Sequence, residues 1–304
     1  MCAEKDEQKT YKSRFKKAGF FVTEILYMKK IAIQGIKGSF HDIAAHQYFR
    51  GEEIEMDFCN TFEDVVSHMQ HDNTMLGLMA IENTIAGSLL HNYDLLRMSG
   101  MTVVGEHKLH IEHSIMCLPE DDWSTLHEVN SHPVALMQCR EFLQKHPNLK
   151  VVEAEDTAGA AADISRLHRT GHAAICHKDA AALYGLKVLE EGIEDNKHNY
   201  TRFLLMCDPW RADSLRDLHE VNKASLVFAV PHEEGQLSQI LSIFSFYKIN
   251  LTKIQSLPII GREWEYLFYV DVTYTDYIRY RQSIDAVRPL TKALKILGEY
   301  VAKN

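Results

Sequence analysis

From residue 31 to about 207 the chain repeats one unit: a short hydrophobic strand, a polar loop carrying Gly or Ser, and an amphipathic helix. "KIAIQG" leads into a helix with Phe40, Ile43, Ala44 and Tyr48 on one face, and "MLGLMAIE" leads into "GSLLHNYDLLRM". "HEVNS" precedes a helix with Ala135, Leu136, Cys139, Phe142 and Leu143 in register. "KVVEAE" precedes one with Ala158, Ala161, Ala162 and Ser165, and "HAAICH" precedes "KDAAALYG". These spacings follow the 3.6-residue period, and the strands are continuous apolar runs suited to a sheet covered on both faces. Such alternation predicts an α/β architecture with mostly parallel sheets.

The rhythm stops at residue 208. "DPWRADSLRDLHEVNK" is polar, charged and carries Pro209, so it reads as a linker. Beyond it lie a strand "ASLVFAV", a helix over 235–247 with Leu237, Ile240, Leu241 and Phe244 on one face, and strands "NLTKIQSLP" and "EWEYLFYVDVTY". A helix near 276–290 and a strand near 293–300 complete a βαββαβ order, the ferredoxin-like pattern. The expected divisions are an N-terminal extension over 1–29, an α/β domain over 30–207, a linker over 208–222 and a second domain over 223–304.

Composition excludes several roles. A net charge of −9 argues against nucleic acid, which needs clustered Lys and Arg. The cysteines at 2, 59, 117, 139, 176 and 207 form no C-x-x-C pair and read as buried small hydrophobes in a reducing compartment. His110 and His113 stand three apart in "HIEH", but no H-E-x-x-H accompanies them, so no metal site is expected. No stretch approaches the ~18 apolar residues of a membrane span, and the first residues lack a secretory pattern. A cytoplasmic protein with no membrane partner is expected.

Chemistry gathers where strands meet helices. Gly35-x-x-Gly38-Ser39 opens one helix, with Asp42 placed for a capping box. Glu82-Asn83-Thr84 runs into Gly87-Ser88, Ser131-His132-Pro133 opens another helix, and Asp156-Thr157 a further one. Each junction alone reads as a helix cap contributing about 1 kcal/mol. Together they aim several helix N-termini at one crevice, where backbone N–H groups favour an anion. Neither a G-x-x-x-x-G-K-[ST] nor a G-x-G-x-x-G cradle is present, so a carboxylate fits better than a nucleotide. In "NYTRF", Thr201 and Arg202 offer a hydroxyl and a fixed cation side by side, and Arg202 suits a bidentate carboxylate clamp.

The ordered segments "GIKGSFHDIAA", "AIENTIAGSLLHNYDLL", "SHPVALMQC", "DTAGAAA" and "NYTRF" resemble the successive motifs of prephenate dehydratases. "GQLSQIL", "INLTKIQSLP" and "EYLFYVDV" resemble that family's ACT regulatory domain. The resemblance spans residues 31 to 300 and implies a bilobed catalytic domain of the type II periplasmic-binding-protein kind, with the site between lobes. It also implies conversion of prephenate to phenylpyruvate, carbon dioxide and water, on the route to phenylalanine and without a cofactor. Carried over residue by residue, Thr201 would hydrogen-bond the leaving hydroxyl, Glu82 would orient Asn83 or assist proton delivery, Asn83 would complete the catalytic set, and Arg202 would help bind a carboxylate or order its strand. Ser39, Thr84, Ser88, Ser131, Gln138, Thr157, Arg202 and Phe203 would contact substrate. A threonine is a weak acid, so transition-state hydrogen bonding is favoured over proton donation.

Some positions depart from the family pattern. Gly-Pro-x-Gly-Thr-Phe-Ser is here Gly35-Ile36-Lys37-Gly38-Ser39-Phe40-His41, so His41 changes the local polarity, and Thr84 stands where serine is common. In the ACT unit, Glu-Ser-Arg-Pro becomes Gln255-Ser256-Leu257-Pro258, and Gly-Ala-Leu becomes Gly235-Gln236-Leu237. A phenylalanine effector site would comprise these residues with Asn250 and Leu251. The exposed sheet edge of that unit predicts a homodimer or homotetramer. Arogenate dehydration and a non-catalytic amino-acid or keto-acid sensor on the same fold are the competing readings. No chorismate mutase segment precedes residue 31, so a single activity is expected.

Overall fold

The computed structural model describes residues 28–215, 220–231, 233–259, 261 and 265–302; the expected N-terminal extension falls almost wholly outside them. The chain opens with β1 (Lys29–Gln34), α1 (Phe40–Tyr48), β2 (Ile54–Cys59), α2 (Phe62–His71) and β3 (Leu76–Asn83). A short β4 (Gly87–Ser88), α3 (Leu90–Ser99) and β5 (Thr102–His110) follow. A second lobe holds β6 (Ser114–Cys117), β7 (Glu128–Ser131), α4 (Pro133–Gln138), α5 (Arg140–Lys145), β8 (Lys150–Glu153), α6 (Thr157–Leu167), β9 (His172–Cys176), α7 (Asp179–Tyr184) and β10 (Lys187–Glu191). The chain then crosses back through β11 (Tyr200–Cys207) and α8 (Pro209–Leu215). It ends in β12 (Lys223–Ala229), α9 (Gln236–Phe246), β13 (Asn250–Pro258), β14 (Tyr266–Thr273), α10 (Tyr277–Val287), a 3-10 turn and β15 (Lys292–Tyr300).

Two sheets define two lobes. The second lobe is a five-stranded sheet ordered β10-β6-β9-β7-β8. The first lobe contributes β5-β11-β3-β1-β2 to a larger sheet, which continues through β15 into β13-β14-β12-β15. That last order, antiparallel throughout, is the ferredoxin-like arrangement.

Parallel pairing joins β1 to β2 and β3, and β7 to β8 and β9, as the alternating pattern predicts. It fails where the chain crosses between lobes: β11 runs antiparallel to both β3 and β5, and β6 antiparallel to β9 and β10. The sheets are therefore mixed, because a strand returning from the other lobe enters from the opposite end.

Local chemistry explains most element ends. Thr61 and Asp64 form a full capping box at α2, each satisfying the other's backbone N–H at 3.1 Å. At α1 the expected box is half made: Asp42 N–H donates to Ser39 Oγ, while the Asp42 carboxylate accepts from Gly38 instead. The third predicted helix breaks at Cys139, giving α4 and α5. Gly87 and Ser88, read as a helix start, form β4 beside β3. The 208–222 segment is more than a linker, since α8 buries Ala212 in the first lobe's core. Cys59, Cys117, Cys139, Cys176 and Cys207 are all buried free thiols.

One glycine decides how the ferredoxin-like unit docks. Gly298 is the residue of β15 that pairs with Val103 of β5. A Cβ on Gly298 would lie 2.1 Å from the Val103 carbonyl oxygen, too close for backbone to yield cheaply. Gly298→Ala is expected to destabilise the protein by about 1–3 kcal/mol, as overpacking does, and thermal melting checks it. An unchanged melting temperature would contradict the close approach.

Candidate functional site

A cavity of about 270 Å³ lies between the lobes. Its first-lobe wall includes Gln34, Ser39, Phe40, His41, Asn83, Thr201 and Phe203; the second lobe adds His132, Gln138, Asp156 and Thr157. The lobes touch across it. Tyr184 donates its hydroxyl proton to the Lys37 carbonyl, and the ring of Phe40 meets His113 edge-on at 5.5 Å. Gly38, at φ +82, turns the loop so closely over Leu183 that a Cβ would stand 3.0 Å away.

The floor of the cleft is a hydrogen-bonded chain crossing both lobes. Asn83 Nδ2 donates to Thr201 Oγ1 at 3.0 Å and to Asn199 Oδ1 at 2.8 Å. Asn199 Nδ2 donates to Gln138 Oε1 at 3.0 Å, and His113 Nε2 lies 2.9 Å from the same oxygen. Asn83 Oδ1 accepts from the backbone N–H groups of Ile85 and Ala86 at 2.9 and 2.8 Å, organising the tight turn into β4. Every polar atom of the Asn83 amide is thus committed, which fixes its orientation. Thr201 Oγ1 accepts from Asn83, so its own proton is left to donate into the cleft.

Strand geometry splits the motif residues between two faces. In β11, Thr201 and Phe203 face the cleft, so Arg202 between them faces away. In β3, Asn83 faces the cleft and Glu82 does not. The two strands pair Thr201 with Asn83 and Arg202 with Glu82, and a bulge then skips Ile81 before Phe203 meets Ala80.

Arg202 is accordingly no clamp for a ligand in the cleft. Arg202 is 8% exposed, and its guanidinium donates through Nε to Glu106 Oε2 at 2.7 Å, through Nη1 to Asp271, and through Nη2 to the Tyr300 hydroxyl at 3.0 Å. Lys223 Nζ shares Glu106 at 2.8 and 2.9 Å, and Ser225 donates to Asp271 at 2.5 Å. Burial alone would lower the Arg202 pKa, but Asp271, Tyr300 and Glu106 outweigh it and hold the group above its ordinary value. Burial, with Arg202 beside it, pulls Lys223 below its usual value. Glu82 pairs with Lys253 at 2.9 Å, and Ser88 accepts from the same Lys253 at 2.8 Å. The expected catalytic Glu82 and substrate contacts Arg202 and Ser88 therefore lie at the junction with the ferredoxin-like unit.

Two further expected contacts serve backbone. Ser131, fully buried, donates to the Ile175 carbonyl at 2.5 Å. Thr84 donates to the His198 carbonyl at 3.1 Å and accepts from Tyr200 N–H at 2.9 Å. Both hold the sheet and the lobe crossing in place.

The family model for prephenate dehydratase matches residues 31–209. The chain belongs to the prephenate dehydratase family. A bifunctional chorismate mutase/prephenate dehydratase of Enterobacter agglomerans is 31% identical over 278 residues, 90% of this chain and 71% of that protein. Arogenate dehydratase 1 of Petunia hybrida is 34% identical over 289 residues, 89% of this chain and 66% of its own. The crystal structure of prephenate dehydratase from Arthrobacter aurescens in complex with L-Phe superposes with a TM-score of 0.79 at 26% identity, covering 90% of each chain. The chain is a lyase of aromatic amino acid biosynthesis, with the mixed α/β fold of this family.

Three histidines, His41, His113 and His132, line the cleft. Ala80 N–H donates to His41 Nε2 at 3.3 Å, which places the ring proton on Nδ1. Burial pushes His41 down to about 4, so it stays neutral in the cleft at neutral pH. Burial also lowers His113, although its contact with Gln138 and the Glu194 charge pull the other way. His132 caps α4, accepting from Val134 N–H at 3.2 Å. Asp156 caps α6 through Gly159 N–H at 2.7 Å, and burial raises its carboxyl pKa despite that bond. Asp156 opens "DTAGAAA" and Asn199 opens "NYTRF", while His113 belongs to no such motif; the fold brings all three to the cleft.

The expected effector residues divide into two groups. Gly235, Gln236 and Leu237 line a separate cavity of about 470 Å³ with Tyr266 and Phe268. Gln236 Nε2 donates to Glu233 at 3.0 Å, while its buried Oε1 has no partner. Asn250, Leu251, Gln255, Ser256, Leu257 and Pro258 lie on β13, the strand at the sheet's edge, and Leu257 packs against the apolar cluster shared by the first lobe and the ferredoxin-like unit. Away from both sites, Asp57, Cys59 and His68 gather ligand-type atoms. His68 Nδ1 lies 2.6 Å from Asp57 Oδ2, and burial with nearby Asp57 pushes the Cys59 thiol up to about 12, so the group reads as an imidazole–carboxylate hydrogen bond beside a neutral thiol.

The depressed His41 pKa carries a pH signature. The unfolded chain binds a proton near pH 6.5 that the folded protein refuses until about 4. Stability should therefore fall as pH drops through that window, by on the order of 2 kcal/mol from this group. Comparing melting temperatures at pH 7 and 4.5, His41→Gln should lose less on acidification than the parent protein. Equal losses would contradict a neutral buried imidazole.

Proposed function

We propose that the Asn83–Thr201 pair carries the decarboxylating dehydration of prephenate to phenylpyruvate. The ring carboxylate leaves as carbon dioxide, the electrons of its C–C bond become ring π electrons, and the C4 hydroxyl departs with one proton as water. Thr201 donates its hydroxyl proton in a hydrogen bond to the departing oxygen, and Asn83, donating to Thr201 Oγ1, holds that hydroxyl in the productive rotamer. The observation that carries this reading is the commitment of every polar atom of Asn83, which leaves the Thr201 proton alone to face the cleft. Gln138 sets the far end of the same chain from the second lobe. Ser39 and Thr157 supply hydroxyls beside helix N-termini, where first-turn N–H groups suit carboxylates.

A second reading rests on one observation. Glu155 and Asp156 stand on the second-lobe wall, and carboxylates there suit the ammonium that distinguishes arogenate from prephenate. The ferredoxin-like unit acts, on our reading, as an ACT regulatory domain that binds phenylalanine around Gly235–Leu237 and β13. The free edge of β13 supports assembly as a homodimer or homotetramer. No helix among the described residues is long and apolar enough to cross a membrane; we place the enzyme in the cytoplasm.

Purified protein should form phenylpyruvate from prephenate near neutral pH above an enzyme-free control, and faster than it forms phenylalanine from arogenate. The reverse preference would establish the second reading. Thr201→Val should lower kcat by about 10²–10³, as loss of one transition-state donor does, with melting temperature unchanged because one hydroxyl at a cleft wall adds little packing. Full turnover by the variant would remove Thr201 from the chemistry.

A further inference from the structure

We propose that Lys253, a residue of the ferredoxin-like unit, is a positioning residue for the dehydration, acting on Asn83 from the opposite side of the sheet. This rests on the reading of Asn83 and Thr201 given above.

Lys253 stands on β13, and its side chain is 9% exposed. Its ammonium touches both arms of the β3–β4 hairpin: Glu82 Oε2 at 2.9 Å on one strand and Ser88 Oγ at 2.8 Å on the other. Those two residues are direct partners in the ladder, and the next pair along is Asn83 with Gly87. Lys253 therefore bridges the hairpin one step before its turn. The turn itself is closed by Asn83 Oδ1 on the N–H groups of Ile85 and Ala86. A two-residue strand such as β4 holds its register weakly by ladder bonds alone. The bridge supplies what the ladder lacks, and the Tyr93 ring 5.1 Å from the ammonium steadies it.

What the bridge fixes is the plane of the Asn83 amide, and through Asn83 Nδ2 the rotamer of Thr201. The second strand is tied in the same sense. Thr201 is followed by Arg202, which the ferredoxin-like unit grips through Asp271 and Tyr300. Each reacting side chain thus has its strand neighbour anchored in the same distant unit. Lys253 reaches no residue of the cleft wall, so removing it should leave substrate binding alone and lower the rate of the step that needs Thr201 aimed.

The experiment is steady-state kinetics with prephenate for the parent protein, Lys253→Met, Lys253→Arg and Thr201→Val. Methionine keeps the stem's packing and removes the charge. Lys253→Met should lower kcat about tenfold with KM within about twofold, while the melting temperature stays near that of the parent. Lys253→Arg, which can still span Glu82 and Ser88, should recover most of the loss. Lys295→Met is the control, because Lys295 also reaches from this unit to the first lobe, at the Arg97 carbonyl 3.0 Å away, but not to the hairpin. It should retain the parent kcat. Parent-like kcat in Lys253→Met, with Thr201→Val impaired, would overturn this inference alone; a fully active Thr201→Val would overturn the reading beneath it. An equal loss in Lys295→Met would overturn the hairpin route in favour of general loosening.

Discussion

The buried guanidinium of Arg202 is the constraint on which the two-domain arrangement depends. A charge taken from water at that depth is tolerable only when fully paired, and removing one partner of such a pair typically costs about 3–5 kcal/mol. Arg202 meets this condition with groups from three places: Glu106 on β5, Asp271 on β14 and Tyr300 on β15. Neither lobe nor ferredoxin-like unit satisfies it alone. Lys223 and Lys253 extend the same logic, so that three cations and the carboxylates of Glu82, Glu106 and Asp271 balance across the junction. The apolar layer around them mixes first-lobe residues such as Ile81 and Val103 with Val227, Tyr269 and Leu297. The unit is docked by burial and oriented by charge.

This places opposite demands on adjacent residues of the same strands. The cleft face of β3 and β11 carries the neutral hydrogen-bonding groups to which we assign the transition-state contacts. The far face carries ions whose pairing matters for the fold. A strand is the natural device for the separation, because its period of two sends neighbours to opposite sides. Neutral groups suit the chemistry proposed for the cleft, because a departing hydroxide is best met by preorganised donors, and burial lowers the pKa of both His41 and His113 on its wall.

Much of the architecture is legible in the residues. The spacing of Phe40, Ile43 and Ala44, or of Leu237, Ile240 and Phe244, announces amphipathic helices, and the βαββαβ order announces the second unit. Strand direction is not so readable, because nothing within "NYTRFLLMC" says that it returns from another lobe and must pair antiparallel. The site was partly legible. Ser39, Asn83, Gln138, Thr157, Thr201 and Phe203 line the cleft as their motifs suggest. Arg202 and Glu82 lie on the far face of their strands, as strand alternation beside Thr201 and Asn83 requires, where Arg202 orders its strand instead of meeting the cleft. Asn199 opens the "NYTRF" motif, but its contact to Gln138, like that of His113, spans 61 and 25 residues of chain respectively and is not announced by any local pattern.

On our proposal the far face of these strands governs the near face. The most direct measurement is a double-mutant cycle on kcat between Lys253→Met and Asn83→Ala. If Lys253 acts by orienting Asn83, its removal should matter less than about twofold once Asn83 is gone, giving a strongly non-additive cycle. An undiminished loss of about tenfold in the Asn83→Ala background would show two independent effects and contradict the account.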